Sequence, residues 1–164
     1  MHVSCLKKGL PRGMPKGVPG LLLAQDLSIT NSRLKAKLMV FEKPKHLKAF
    51  WNKILKLDKL NRYTVGAVAP LKMTYAEKGN ESSPFRMVVD PRYFCLIGLC
   101  KTHLSMEAIC HEAVHAGYAF ALRKMKAPWL AEIGDMKEEA VAYPAGRIAA
   151  AINRVLWKHG LYKE

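Results

Sequence analysis

The chain has 164 residues and a formal net charge of +14, and half of its residues are hydrophobic. This length and composition predict one folded globular domain with a modest core, and they exclude a wholly disordered chain. The longest apolar stretches are too short to span a bilayer, and the Gly- and Pro-rich start is unlike a signal peptide. We therefore expect a cytoplasmic protein with no membrane partner. The cysteines are too sparse for a disulfide framework and are expected to be reduced thiols: Cys5, Cys95, Cys100 and Cys110.

The positive charge is concentrated at the start of the chain. Residues 1–62 contain 14 Lys and Arg against three acidic residues, whereas residues 63–164 contain 13 against 10. A basic half of this kind indicates a nucleic-acid or acidic-protein partner. A solvated, lysine-rich surface explains the same pattern equally well.

The composition divides the chain into a tail and a domain. Within the first 20 residues, four glycines alternate with three prolines, which disfavours both helix and strand. We expect residues 1–32 to form a flexible, basic, Gly/Pro-rich tail. Residues 33–164 are expected to form a single domain.

The first half of that domain reads as a strand, a helix and several more strands. Apolar and polar residues alternate over 33–40, which predicts a half-buried strand. Pro44 suits the first turn of a helix, and apolar residues follow it at helical spacing. Further strands are expected within 63–76 and at 85–89 and 93–97, with a polar hairpin loop at 78–84.

The second half is predicted to be helical. Ser105 can cap the start of one long helix, and Asp135 with Glu138 forms a capping box at the start of another. Pro144 should kink this second helix, and Gly160 should end it. The fold class expected is therefore α+β.

The sequence His111-Glu112-Ala113-Val114-His115 matches the HExxH pattern. Residues four apart lie on the same face of a helix, so both imidazoles can reach one Zn²⁺ ion. Glu112 lies about 100° further round, where it can orient a water molecule and take its proton. Two surface histidines on an ordinary helix are the alternative. The metal site is favoured because Cys110, Ala113, Val114 and Ala116 around the motif are uncharged, and His103 could line the same cleft.

A catalytic zinc needs a third protein ligand. The acidic residues downstream are Glu132, Asp135, Glu138 and Glu139. We favour Glu139 over Glu138, because Asp135 and Glu138 already suffice as the helix cap and its partner. Tyr143, one turn after Glu139, could hydrogen-bond that ligand or stabilise an oxyanion, or it could simply be a packed aromatic.

These motifs resemble those of the gluzincin-type zincin metallopeptidases, including the minimal zincins of phages and mobile elements. The resemblance covers about residues 33–157, but only the two motifs, 111–115 and 139–143, are specific. It implies a zincin-like fold with a small mixed sheet, an N-terminal helix, an active-site helix and a C-terminal helix that carries the third ligand. It also implies that strand 93–97 edges the cleft and pairs with substrate.

The function implied is hydrolysis of peptide bonds by attack of a zinc-bound water with help from Glu112. His111, His115 and Glu139 would be the metal ligands, and a protein or peptide would be the substrate. The alternative is a basic module that binds nucleic acid or protein on a zincin-like scaffold and lacks peptidase activity.

Overall fold

The computed structural model describes residues 18–29, 32–53, 60, 64–69, 73–76, 86–125 and 135–162. A short 3-10 turn joins the last strand to the second helix. In chain order the elements are β1 (Leu21–Ser28), β2 (Lys35–Phe41), α1 (Pro44–Lys53), β3 (Gly66–Ala69), β4 (Met73–Ala76), β5 (Arg86–Val89), β6 (Tyr93–Cys100), α2 (Met106–Met125) and α3 (Asp135–Lys158).

The strands form a mixed four-stranded sheet in the order β1-β2-β6-β3. The central pair, β2 and β6, is parallel, while β1 and β3 run antiparallel to their neighbours. β4 and β5 form a separate antiparallel pair. The α+β class and the small mixed sheet agree with the sequence prediction, and the hairpin loop predicted at 78–84 lies outside the described residues.

Helices cover both faces of the sheet. Leu38 and Val40 of β2 point into the core shared with α2 and α3, whereas Met39 and Phe41 pack with α1. The prediction of a half-buried strand at 33–40 was therefore wrong, because every residue of β2 after Lys35 is buried. Alternation in the sequence distinguishes two faces of a strand, but both faces of this one are covered.

A buried lysine lies on the otherwise apolar face of the sheet that α1 covers. Lys37 is only 9% exposed and forms an ion pair with Asp26 of β1, and Lys35 lies 3.6 Å from the same carboxylate. The hydroxyl of Tyr93 donates a hydrogen bond to Asp26 at 2.7 Å. This cluster ties β1, β2 and β6 together and neutralises part of the basic N-terminal half.

Two sequence predictions about the edges of the domain need correction. β1 lies within the predicted tail of residues 1–32, and its Leu23 and Leu27 belong to the main core. Apolar residues on alternate positions hold this segment in the sheet, so the domain begins well before residue 33. The rest of the tail lies outside the described residues, apart from those next to β1.

The second correction concerns the strand expected to pair with substrate. Residues 93–97 belong to β6, which is hydrogen-bonded to β2 on one side and to β3 on the other. At Leu96 and Ile97 both edges of β6 are therefore occupied, and a substrate strand cannot pair there; residues 93–95 pair with β2 alone among the described strands. Among the described residues, the strand with a free edge on this side of the sheet is β3.

The helix boundaries follow the predicted signals closely. α1 starts at Pro44. The Ser105 hydroxyl accepts a hydrogen bond from the Ala108 amide at 3.0 Å, which caps α2. Gly160 ends α3 with a φ of 63°, and the next residue's amide bonds back to the Leu156 carbonyl at 2.9 Å.

Pro144 lies inside α3, and the kink expected there stays a prediction. In the described part of the chain, none of the helices has the length and apolar character that crossing a membrane requires. The described cysteines, Cys95, Cys100 and Cys110, are free thiols, as expected from the sequence.

Candidate metal centre

The two motif histidines point at one place. On α2, the Nε2 atoms of His111 and His115 lie 3.2 Å apart, and both side chains are exposed. Two imidazoles bound to a tetrahedral zinc at about 2.05 Å would have their nitrogens about 3.3 Å apart. The two nitrogens are within hydrogen-bonding distance of each other, and the same spacing is compatible with a shared ion.

Glu112 occupies a different environment from the two histidines. Its side chain is 6% exposed and turns toward β3, where a Cβ added to Gly66 would lie only 2.7 Å from Oε1. The carboxyl group thus packs directly on backbone that carries no side chain. Burial raises the pKa of Glu112 to about 7, partly offset by the charge of His111.

A cleft of about 450 Å³ lies in front of these groups. One wall comes from Val65, directly before β3, and the other comes from the first turns of α2. His103, in the 3-10 turn, lines the cleft as the sequence had suggested. The cleft is lined by Val65, His103, Leu104, Ser105, Glu107, Ala108, His111 and Glu112.

The position of α2 is set by close packing against α3. Gly117, two residues after the motif, allows this approach, since a Cβ there would lie 2.8 Å from the Val141 carbonyl oxygen and 2.9 Å from the Ala145 Cβ. At the other end, Asn153 Nδ2 lies 3.5 Å from Met106 Sδ. The two helices are therefore antiparallel and in contact along most of α2.

This register determines where the predicted third ligand lies. Because the helices are antiparallel, residues before Val141 lie opposite residues after Gly117. Glu139 is therefore displaced along α3, past Gly117 and away from the level of His115. Both Glu138 and Glu139 are exposed. Neither lines the cleft beside the histidines.

Tyr143 also lies apart from the histidines. It is 67% exposed and lines a separate groove together with Phe120 and Lys124 of α2. The structure thus brings together His111, Glu112 and His115, and it does not bring Glu139 or Tyr143 to them. The roles of Glu139 and Tyr143 stay predictions.

Within the described residues, no group of three or more His, Cys, Asp or Glu side chains is close enough to hold one ion. The side chain of Asp135 and the whole of Glu132 lie outside the described part of the chain. The two-histidine arrangement fits a metal ion by its spacing, and it would need a further protein ligand to form a complete catalytic site.

Two features of the cleft were not recognised in the sequence. Gly66 lacks a side chain and so makes room for Glu112. Glu107 lies one turn before His111 and lines the cleft. Its spacing of four residues from His111 was the available signal.

Comparison of the chain with protein-family models, with curated proteins and with solved structures finds no match.

Proposed function

We propose that this protein is a zinc-dependent peptidase of zincin type. The observation that carries the proposal is the pair of Nε2 atoms 3.2 Å apart beside the buried carboxyl group of Glu112. A pair of nitrogens at metal-sharing distance, next to a buried general base and an open cleft, is the constellation that metal-assisted hydrolysis requires. His111 and His115 are proposed as two of the zinc ligands, and Glu139 stays the third ligand predicted from the sequence, although the structure does not place it beside them.

Zinc in such a site supplies Lewis acidity, which makes water nucleophilic near neutral pH and polarises a carbonyl group. Glu112 is proposed to accept the proton of the attacking water and to deliver it to the departing amine. Its packing against Gly66 fixes the carboxyl group on the β3 side of the histidines. The amide bond as target comes from the resemblance to zincins, whereas the geometry alone supports hydrolysis of a polarisable carbonyl or phosphoryl group.

An extended peptide is the proposed substrate. Among the described residues, β3 has a hydrogen-bonded partner only on its β6 side, and we propose that its other edge pairs with the peptide strand. Glu112 packs on the face of β3 at Gly66. The free thiols of Cys95, Cys100 and Cys110 suit a reducing compartment, and we propose a cytoplasmic location.

The metal site is tested by measuring zinc per chain after dialysis of the protein against zinc-containing buffer. The wild type and Glu112→Gln are expected to hold one zinc ion, and His115→Ala is expected to hold little. A wild type that retains no zinc would refute the proposal. Zinc in all three proteins would place the ion elsewhere in the chain.

The third ligand is tested with neighbouring variants on α3. If Glu139 is the third ligand, Glu139→Gln should weaken zinc binding strongly, whereas Glu138→Gln is the matched control and should leave it unchanged. The reverse result would make Glu138 the ligand. If neither variant changes the affinity, the ligand lies elsewhere, and Glu107 in the cleft becomes the next residue to substitute.

Activity is tested with a mixture of unstructured peptides, followed by mass spectrometry with and without a chelator. Cleavage by the wild type should disappear with chelator and in Glu112→Gln, which keeps its zinc. A zinc-loaded wild type that cleaves no peptide would leave the alternative of a basic binding module on the same scaffold. Binding to an acidic partner would then be sought at the exposed Lys43 and Lys45 near the start of α1.

A further inference from the structure

A second groove lies on the other side of the start of α2, between that helix and the end of α3. It has a volume of about 360 Å³. It is lined by Met106, Asn153, Arg154, Trp157, Lys158 and Tyr162. None of these residues takes part in the candidate metal centre.

The groove combines exposed aromatic surface with positive charge. Trp157 is 61% exposed and Met106 is 48% exposed. Arg154 and Lys158 are one helical turn apart on α3, and Trp157 directly precedes Lys158. Neither cation forms an ion pair within the part of the chain that the structure describes, and none of the described residues that line the groove is acidic. The groove therefore offers an exposed aromatic ring beside two cations.

We propose that this groove binds single-stranded nucleic acid. An unpaired base can stack on the Trp157 ring while the neighbouring phosphates contact Arg154 and Lys158. The charge of the groove complements a phosphate backbone, and the net charge of +14 favours the same partner. Stacking requires a base that is not already in a duplex, so single strands are preferred to double strands.

The test uses fluorescence anisotropy of a labelled oligothymidine of 12 nucleotides, with the full chain at several salt concentrations. Trp157→Ala is expected to weaken binding by about 5- to 160-fold, the range that loss of one base stack produces. Trp157→Phe should restore most of the affinity, because a phenyl ring still stacks. Circular dichroism of each variant verifies that it folds. Because the Trp157 side chain is mostly exposed, its replacement should leave the fold intact.

Charge is tested with two matched double variants. Arg154→Gln with Lys158→Gln should weaken binding and lower the salt slope by about 1.4, the value for two phosphate contacts on a single strand. Lys43→Gln with Lys45→Gln removes the same charge near α1 and should have a much smaller effect. Equal losses from both double variants, with Trp157→Ala unchanged, would overturn the proposal and indicate diffuse attraction by the net charge.

Two further results would also overturn it. One is equally tight binding of a duplex of the same length with no dependence on Trp157. The other is Trp157-dependent binding to anionic phosphatidylglycerol vesicles without Trp157-dependent binding of the oligonucleotide, which would make the groove a membrane contact.

Discussion

Replacing the buried Glu112 by Gln should make the metal-free protein more stable, and the gain should depend on pH. A carboxyl group whose pKa rises from 4.5 to about 7 on folding is protonated in the native protein while it is already ionised in the unfolded chain. Its contribution to stability is thus retained below pH 4.5 and lost as the pH rises through 7. At about 1.4 kcal/mol per pKa unit, the full loss is about 3 kcal/mol.

The assay is urea denaturation of both proteins in chelator at about pH 5 and about pH 8. The stability of Glu112→Gln relative to the wild type should increase by about 2–3 kcal/mol between these two conditions. Glu107→Gln, on the same helix but exposed, is the control and should show no comparable change. A stability difference that does not vary with pH would refute the view that Glu112 is held in a desolvated position.

Three other predictions follow from the packing around α2. Gly117→Val should lower stability by about 1–3 kcal/mol in thermal denaturation, because a side chain there meets Ala145 and the α3 backbone; an unchanged melting temperature would mean that α3 can move aside. Gly66→Ala should cut peptidase activity at least 10-fold while zinc binding stays intact, since the new methyl group displaces only Glu112; parallel loss of zinc and activity would contradict this. Ser105→Ala should cost about 1 kcal/mol through loss of the α2 cap, measured by urea denaturation against Ser105→Thr, which keeps a hydroxyl.

The sequence predicted well those features that depend on neighbouring residues. Caps, prolines and helical spacing located α1, α2 and α3 to within a residue or two, because these signals act over one or two turns. The juxtaposition of His111 and His115 is a property of a single helix and was therefore predictable from spacing alone. It needed no knowledge of the rest of the fold.

The failures concern contacts between distant segments. Whether β2 is covered on one face or two depends on where α1 packs, and the alternation within the strand does not record that. β1 was assigned to the tail because the glycines and prolines before it dominated the composition. The neighbours of Glu112 come from β3, more than 40 residues earlier in the chain. No local signal connects the two.

The relative positions of α2 and α3 could likewise not be predicted from the spacing of motifs in the sequence. The motif on α3 and the motif on α2 each have a recognisable sequence, but the register between the helices is set by Gly117 meeting Val141 and Ala145. That register places Glu139 past the histidines. Spacing in the sequence gives only the number of residues between two motifs. Whether residues of α2 and α3 can bind one metal ion depends on how far the two helices are shifted along each other.

The two parts of the candidate site differ in how far apart their components lie along the chain, and this has a consequence for folding. The histidine pair exists whenever α2 is helical, whereas the environment of Glu112 forms only after β3 has docked on β6, with the long loop closure that this requires. A partly folded chain can therefore display the metal-sharing pair before the base is in place. Bound zinc would then show only that α2 is helical. Peptide cleavage, which also needs Glu112 in place, would show that the native fold has formed.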